Sequence, residues 1–156
     1  MRVELESSRI LERAGVRLIW RNCGHNDPCE VVPNSGYVIL RIVKGTRSDG
    51  LGCSFVTQSG GIDAVVRFGN VQRLAGSTRI SESQILAAVM AHEIGHLMLG
   101  PAHSRTGLMH GNWDVRDLCH LEQRQLKFDL DQCRRIQAAV LARSRTERSL
   151  IASRMP

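Results

Sequence analysis

The feature that most constrains this chain is an apolar stretch that carries one carboxylate among its histidines. Between residues 85 and 102, Glu93 is the only residue with a formal charge. Apolar residues occupy every side of this stretch when it is drawn as a helix, which is typical of a buried helix. Because burial of an unpaired carboxylate costs several kcal/mol, Glu93 needs either an ionic partner or a chemical function.

The ends of this helix are marked by local sequence signals. Ser81 and Gln84 form a capping-box pattern, S-x-x-Q, which predicts the first turn. Gly100 and Pro101 predict an end at about Leu99, because glycine favours the helix C-terminus and proline cannot continue it. The stretch is therefore predicted to be one buried helix with two histidines in its C-terminal half.

The spacing of these two histidines predicts a metal site. His92 and His96 are four residues apart, so both imidazoles face the same way and can bind one ion. Glu93 is rotated by about 100° from His92, so its carboxylate flanks the ion instead of binding it. There it can accept a proton from water on the metal, whose pKa zinc lowers to about 7. The H-E-x-x-H pattern thus predicts one catalytic zinc ion with Glu93 as general base, and buried structural histidines beside an ion-paired glutamate are the alternative.

A zinc site of this type needs a third protein ligand. His103 is the leading candidate, since Gly100 allows the chain to turn sharply out of the helix and return toward the metal. An acidic residue from a later helix is the alternative, and the candidates are Asp114, Asp117 and Glu122. Among the other histidines, His110 and His120 are weaker candidates, and His25 is expected on a loop surface.

The rest of the chain predicts an α+β fold. A first helix is expected over residues 4–14, and four segments are predicted as strands: 16–21, 37–43, 51–58 and 63–71. The 37–43 strand is expected to be buried because it is almost continuously apolar. Asp114 and Asp129 predict the starts of two further helices. The expected architecture is a mixed twisted sheet of about four strands with an N-terminal helix, an active-site helix and a C-terminal helix, in one domain over residues 3–145 with a tail over 146–156.

The charge, the apolar runs and the cysteines of the chain indicate which partners, location and cysteine chemistry to expect. The chain has 156 residues and a net charge of +6, but its arginines are spread along the whole sequence, so no nucleic-acid partner is expected. No apolar run is long enough for a membrane span, and residues 1–20 lack the apolar region of a signal peptide. Cys23 and Cys29 can pair if the compartment is oxidising, or can join His25 in a zinc knuckle.

Residues 92–109 resemble the active site of the metzincin clan of zinc peptidases. The run HEIGH at 92–96, followed by GPAHS at 100–104, is most similar to the matrixin-like group, in which serine follows the third histidine. The resemblance extends over roughly residues 5–141. It indicates a divergent bacterial branch, because three residues instead of two separate His96 from the glycine, and the interval from His103 to Met109 is shorter than in matrixins.

This resemblance implies a zinc endopeptidase that acts on a peptide or protein substrate, with His92, His96 and His103 as ligands and Glu93 as general base. The GLM run at 107–109 resembles the Met-turn, which would place Met109 beneath the metal. The segment before the helix resembles the edge strand to which matrixins pair an extended substrate, here Leu51, Gly52, Cys53, Ser54 and Phe55. A monomer in a secreted or periplasmic location is expected.

Two other functions fit parts of the pattern. A non-catalytic binding module stabilised by zinc would have the same ligands but a closed fourth metal position. A zinc-dependent RNA-processing hydrolase would suit the basic charge, but the histidine motif of bacterial ribosomal-RNA processing factors lacks the glutamate that follows His92 here. The presence of Glu93 therefore favours the peptidase.

Overall fold

The computed structural model describes residues 2–24, 37–45, 50–57 and 60–152. In these ranges the chain forms five helices and one three-stranded sheet, which confirms the α+β class. In chain order the elements are α1 (Arg2–Arg13), β1 (Ile39–Val43), β2 (Gly52–Thr57), β3 (Gly60–Arg67), α2 (Phe68–Gly76), α3 (Glu82–Leu99), α4 (Val115–Glu122) and α5 (Leu130–Ala152). No helix in this part of the chain is both long and apolar enough to cross a membrane.

Helix α3 is the element around which the others pack. All of its residues from 85 to 97 are buried, and it contacts α1, α2, α4, α5, β2 and β3. The Ser81 hydroxyl accepts a hydrogen bond from the Gln84 amide, and the Gln84 side chain accepts one from the Ser81 amide. Gly100, with φ +94°, ends the helix directly after Leu99. The prediction of a buried helix that opens on a capping box is confirmed.

The sheet places one strand edge beside α3. Its order is β1–β3–β2, with β1 parallel and β2 antiparallel to β3. Ala64 and Val66 of β3 are fully buried, and both β3 and β2 contact α3. Within the described residues β2 pairs with β3 alone, so it is an edge strand. The strand predicted over 51–58 is confirmed as Gly52–Thr57.

The prediction of a strand over residues 16–21 is wrong. The segment is extended and its burial alternates, because Val16, Leu18 and Trp20 pack against the core while Ile19 is 91% exposed. It nevertheless pairs with no strand in the described ranges. The Trp20 indole Nε1 donates a hydrogen bond to the Ser8 hydroxyl at 2.8 Å, which ties the segment to α1 instead of to the sheet. The fourth strand is therefore not found among the described residues.

Two other strand predictions need correction. β1 is not buried, since Ile42 is 51% and Val43 39% exposed, and the strand has only β3 as a neighbour in the described part of the chain. β3 ends at Arg67 and not at Val71, because Phe68 begins α2. Val71 is fully buried from that helix. Over so short a stretch, an alternating apolar pattern does not separate a strand end from a first helical turn.

Helices α4 and α5 begin at the predicted capping residues. Asp114 Oδ1 accepts hydrogen bonds from two amides in the first turn of α4, at 2.8 and 3.0 Å. Asp129 and Gln132 form a reciprocal pair at the start of α5, in which each side chain accepts from the amide of the other residue. α5 continues through residue 152, so it includes most of the segment that was predicted as a tail over 146–156.

Candidate metal centre

Three histidines converge at the C-terminal end of α3. The Nε2 atoms of His92 and His96 are 3.0 Å apart, and those of His96 and His103 are 3.1 Å apart. His92 and His96 are buried, whereas His103 lies in the loop after the helix and is exposed. The three residues predicted as ligands thus form one cluster that could hold a metal ion.

The hydrogen bonds made by Nδ1 of His92 and of His96 show that Nε2 is the ring nitrogen of each residue that can bind a metal. His92 Nδ1 lies 2.6 Å from the Leu108 carbonyl oxygen, and His96 Nδ1 lies 2.9 Å from the Gly100 carbonyl oxygen. A carbonyl oxygen can only accept, so both Nδ1 atoms carry the proton and donate it. Each Nε2 atom of a neutral ring then presents a lone pair toward the other. Such an arrangement is repulsive unless a cation lies between the rings.

The cation between the rings cannot be a proton bound to His92 or His96, because burial lowers the pKa of both imidazoles. Burial lowers the pKa of His92 to about 4, and the hydrogen bond to Leu108 opposes this only in part. Burial also lowers the pKa of His96. Both imidazoles are therefore neutral at pH 7, which is the state that binds a metal. Donation from the outer ring nitrogen to a backbone carbonyl is also the usual way in which metal-binding histidines are oriented.

The loop after α3 brings His103 back to the cluster. The left-handed φ of Gly100 turns the chain at the helix end, and the Ser104 amide then donates to the Met109 carbonyl at 2.9 Å. Gly111 packs directly on the His103 ring, since a Cβ atom at this glycine would lie 3.0 Å from His103 Cγ. The three residues between His96 and Gly100 are all helical, since α3 ends at Leu99.

Glu93 extends from α3 toward the edge strand. It is 4% exposed, and its Oε2 accepts a hydrogen bond from the Ser54 hydroxyl at 2.6 Å. Its Oε1 lies where a side chain at Gly52 would begin, because a Cβ atom there would be 2.4 Å away. Gly52 and Ser54 were predicted as substrate-binding residues, and their contact with Glu93 was missed. Two small residues on one face of a strand that precedes the buried helix were the available signal.

The environment of this carboxylate favours its neutral form. Burial raises the pKa of Glu93 to about 7, while the Ser54 hydrogen bond and the positive charge of Arg67 act in the opposite direction. A carboxyl group with such a pKa can take up and release a proton near neutral pH. Perturbed groups in a cleft are typical of functional sites.

The histidine cluster and Glu93 open onto a cleft of about 670 Å³. One wall is β2 together with the residue before it, and the lining residues there are Leu51, Gly52, Cys53, Ser54 and Val56. Trp113 and Leu74 contribute apolar surface to the same cleft. Phe55, the remaining predicted substrate residue, is 62% exposed and does not line it. The cleft therefore gives a molecule access to the cluster along the edge of β2 that pairs with no other strand in the described ranges.

Met109 lies against the helix turn that carries the histidines. It is 1% exposed, and a Cβ atom at Gly95 would be 2.6 Å from its sulfur. The Gly107–Met109 turn is held by the bond from the Leu108 amide to the Lys127 carbonyl at 3.0 Å, and Gly107 has φ +79°. Met109 thus packs against Gly95, which lies between Glu93 and His96 on α3, and its position beneath a metal ion stays a prediction.

The alternative ligands lie elsewhere. Asp114 and Asp117 cap α4, and Asp117 bonds His110, so neither belongs to the three-histidine cluster. Glu122 and His120 are exposed and also outside it. Cys23 is disulfide-bonded, while the other members of the suggested zinc knuckle, His25 and Cys29, lie outside the described residues.

Comparison with known proteins adds no relative to this picture. No protein-family model, curated protein or solved structure matches the chain. Function must therefore be inferred from the chemistry of the cluster, the carboxylate and the cleft.

Proposed function

We propose that this chain is a zinc-dependent endopeptidase related to the metzincins. The observation that carries the proposal is the convergence of three imidazole Nε2 atoms, two of them with lone pairs directed at each other, at a cleft that also contains a buried carboxylate. The resemblance of residues 92–109 to the metzincin active site supports the same assignment.

The donor set fits zinc. His92, His96 and His103 would hold the ion, and three neutral imidazoles are a ligand set used by catalytic zinc. Three protein ligands leave one position of a tetrahedral ion open, which distinguishes catalytic from structural zinc. When bound, zinc would supply a Lewis acid that activates water and polarises a peptide carbonyl.

Glu93 is the general base in this proposal. It takes a proton from the water molecule whose oxygen attacks the peptide carbonyl carbon, and it passes that proton to the leaving amine nitrogen as the C–N bond breaks. In the metal-free protein burial raises the pKa of Glu93 to about 7, so this carboxyl group can accept and release a proton near neutral pH. The Ser54 hydroxyl holds one carboxylate oxygen at 2.6 Å and so orients the group.

The edge strand β2 is the proposed binding site for the substrate backbone. An extended peptide can add to a free strand edge through main-chain hydrogen bonds. Four of the five predicted residues, Leu51, Gly52, Cys53 and Ser54, line the cleft beside Glu93, which supports this role. A peptide bound there would run past the histidine cluster.

The variant Glu93→Gln tests the proposal. We expect it to bind zinc as tightly as the wild type, because Glu93 is not a ligand, and to cleave casein roughly 10²- to 10⁴-fold more slowly. Zinc content and casein hydrolysis measure the two properties. Glu122→Gln is the matched control, since Glu122 is exposed on α4 and should leave both properties unchanged.

Other outcomes identify the two alternatives. A zinc-loaded wild type that cleaves no peptide and binds no hydroxamate would be a zinc-stabilised binding module with a closed fourth position. A wild type that cleaves RNA but not casein would be an RNA-processing hydrolase. Casein hydrolysis by Glu93→Gln at the wild-type rate would refute Glu93 as general base.

A further inference from the structure

Apart from the three-histidine cluster, the cleft is also lined by a histidine that is paired with a carboxylate. His110 lines the cleft with the three histidines of the cluster but is not part of that cluster. Its Nδ1 makes a close hydrogen bond with Asp117 Oδ2. The His110 side chain is 23% exposed, whereas that of Asp117 is only 5% exposed. The pair therefore has a buried acid and an imidazole that reaches the cleft.

The carboxylate of this pair is held from several directions. Asp117 Oδ1 accepts from the Gly107 amide at 3.1 Å, and Oδ2 accepts from the Asp114 amide at 3.2 Å. These bonds join the start of α4 to the turn that contains Met109. Because donors surround the carboxylate, it stays in place as an acceptor for the Nδ1 proton of His110.

The other ring nitrogen of His110 is available to a ligand. Its Nε2 has no hydrogen-bond partner among the described residues. The backbone around it is fixed, since the His110 amide donates to the Gly107 carbonyl at 3.0 Å and a bridge pairs His110 with Ser104. The next residue, Gly111, packs on the His103 ring. His110 is thus anchored beside the loop that carries the third histidine of the cluster.

We propose that His110, oriented by Asp117, is a further catalytic residue that donates a hydrogen bond from Nε2 to the oxyanion developing on the scissile carbonyl. This role rests on the proposed peptidase function. With a proton on both ring nitrogens, His110 donates from Nδ1 to Asp117 and from Nε2 to the oxyanion. A hydrogen-bond donor placed where negative charge develops lowers the barrier to reaction. No covalent bond forms to His110, and its protons stay on the ring.

The variants His110→Phe and His110→Gln test the role, with His120→Phe on the exposed surface of α4 as control. The readouts are zinc affinity, kcat and KM on a fluorescence-quenched peptide, and inhibition by a phosphinic and a hydroxamate analogue of that peptide. We expect His110→Phe to lower kcat roughly 10²- to 10³-fold. It should weaken the tetrahedral phosphinic analogue by a similar factor and leave zinc affinity and the hydroxamate unchanged. His110→Gln, which retains an N–H donor, should recover part of kcat.

Three results would overturn the role. The first is a His110→Phe variant with wild-type kcat. The second is a parallel loss of zinc affinity and kcat, which would mean that His110 only supports the metal site. The third is a zinc-loaded wild type that cleaves no peptide, which would remove the proposed peptidase function together with the role of His110. The first two leave the peptidase proposal intact, so the failures are distinguishable.

Discussion

Two buried carboxylates, Glu93 in the cleft and Asp117 bonded to the cleft residue His110, differ in their surroundings. Glu93 accepts a hydrogen bond from one side chain in the described part of the chain, the Ser54 hydroxyl. Asp117 accepts from two backbone amides and from the imidazole of His110. The comparison teaches that burial alone does not decide what a carboxylate does. The donors around a buried carboxylate also determine how firmly it is held in place.

The largest stability effect is expected for Asp117→Ala. Removal of this carboxylate leaves two amides and an imidazole without their acceptor at the junction of α4 and the Met109 turn. We expect a loss of about 4 kcal/mol in the free energy of unfolding, measured by urea denaturation. Asp131→Ala is the control, since Asp131 is 74% exposed and 3.9 Å from Arg135, and it should change stability by less than about 0.5 kcal/mol. Equal losses in the two variants would contradict a special role for Asp117.

A smaller, pH-dependent effect on the free energy of unfolding is expected for Glu93→Gln in the metal-free protein. Unlike Asp117→Ala, this substitution is expected to stabilise the fold. Burial raises the pKa of Glu93 from 4.5 to about 7, so the folded protein holds a proton that the unfolded chain releases at lower pH. The contribution of Glu93 to stability is therefore retained at acidic pH and is lost as pH rises toward 7. Relative to Glu93→Gln, the wild type should lose roughly 2 to 3 kcal/mol between pH 5 and pH 8. Urea denaturation with a chelator at the two pH values measures the difference, and parallel pH profiles would show that Glu93 ionises normally.

The smallest effect is expected for Ser54→Ala. At pH 8 the metal-free variant should lose about 1 to 2 kcal/mol of stability, because the ionised Glu93 then lacks its side-chain donor. At pH 5, where Glu93 is protonated, the loss should be smaller. The same denaturation experiment measures both values. A loss that is equal at the two pH values would mean that the hydroxyl does not act on the charge of Glu93.

The helix and its two buried histidines were predictable because local rules determine them. The capping box at Ser81, the glycine at position 100 and the four-residue spacing from His92 to His96 all act within one or two turns of chain. Asp114 was predictable as a cap for the same reason. The structure agrees with these expectations because burial of α3 on all sides reinforces the local preference for helix.

Contacts between distant segments were not predictable in the same way. The bond from Ser54 to Glu93 joins residues 39 positions apart, and it depends on how β2 pairs with β3. The alternation in residues 16–21 correctly predicted which side faces the core but not the absence of a strand partner in the described ranges. Asp117 was considered as a ligand, whereas its bond to His110 depends on the turn that carries Met109. An alternating apolar pattern or a capping residue predicts the structure of one segment. A contact such as strand pairing also depends on where a second, distant segment lies.

The missing side chain at Gly52 allows Glu93 of α3 to lie directly against the sheet. A Cβ atom there would lie 2.7 Å from Glu93 Cδ and 2.8 Å from the Val65 carbonyl oxygen, and the latter belongs to a paired backbone that cannot move aside. The space between the two layers is thus filled by the Glu93 carboxyl group instead of by an apolar side chain. If β2 binds a peptide as proposed, the position of that peptide and the position of Glu93 are both set by the same few backbone atoms of this strand.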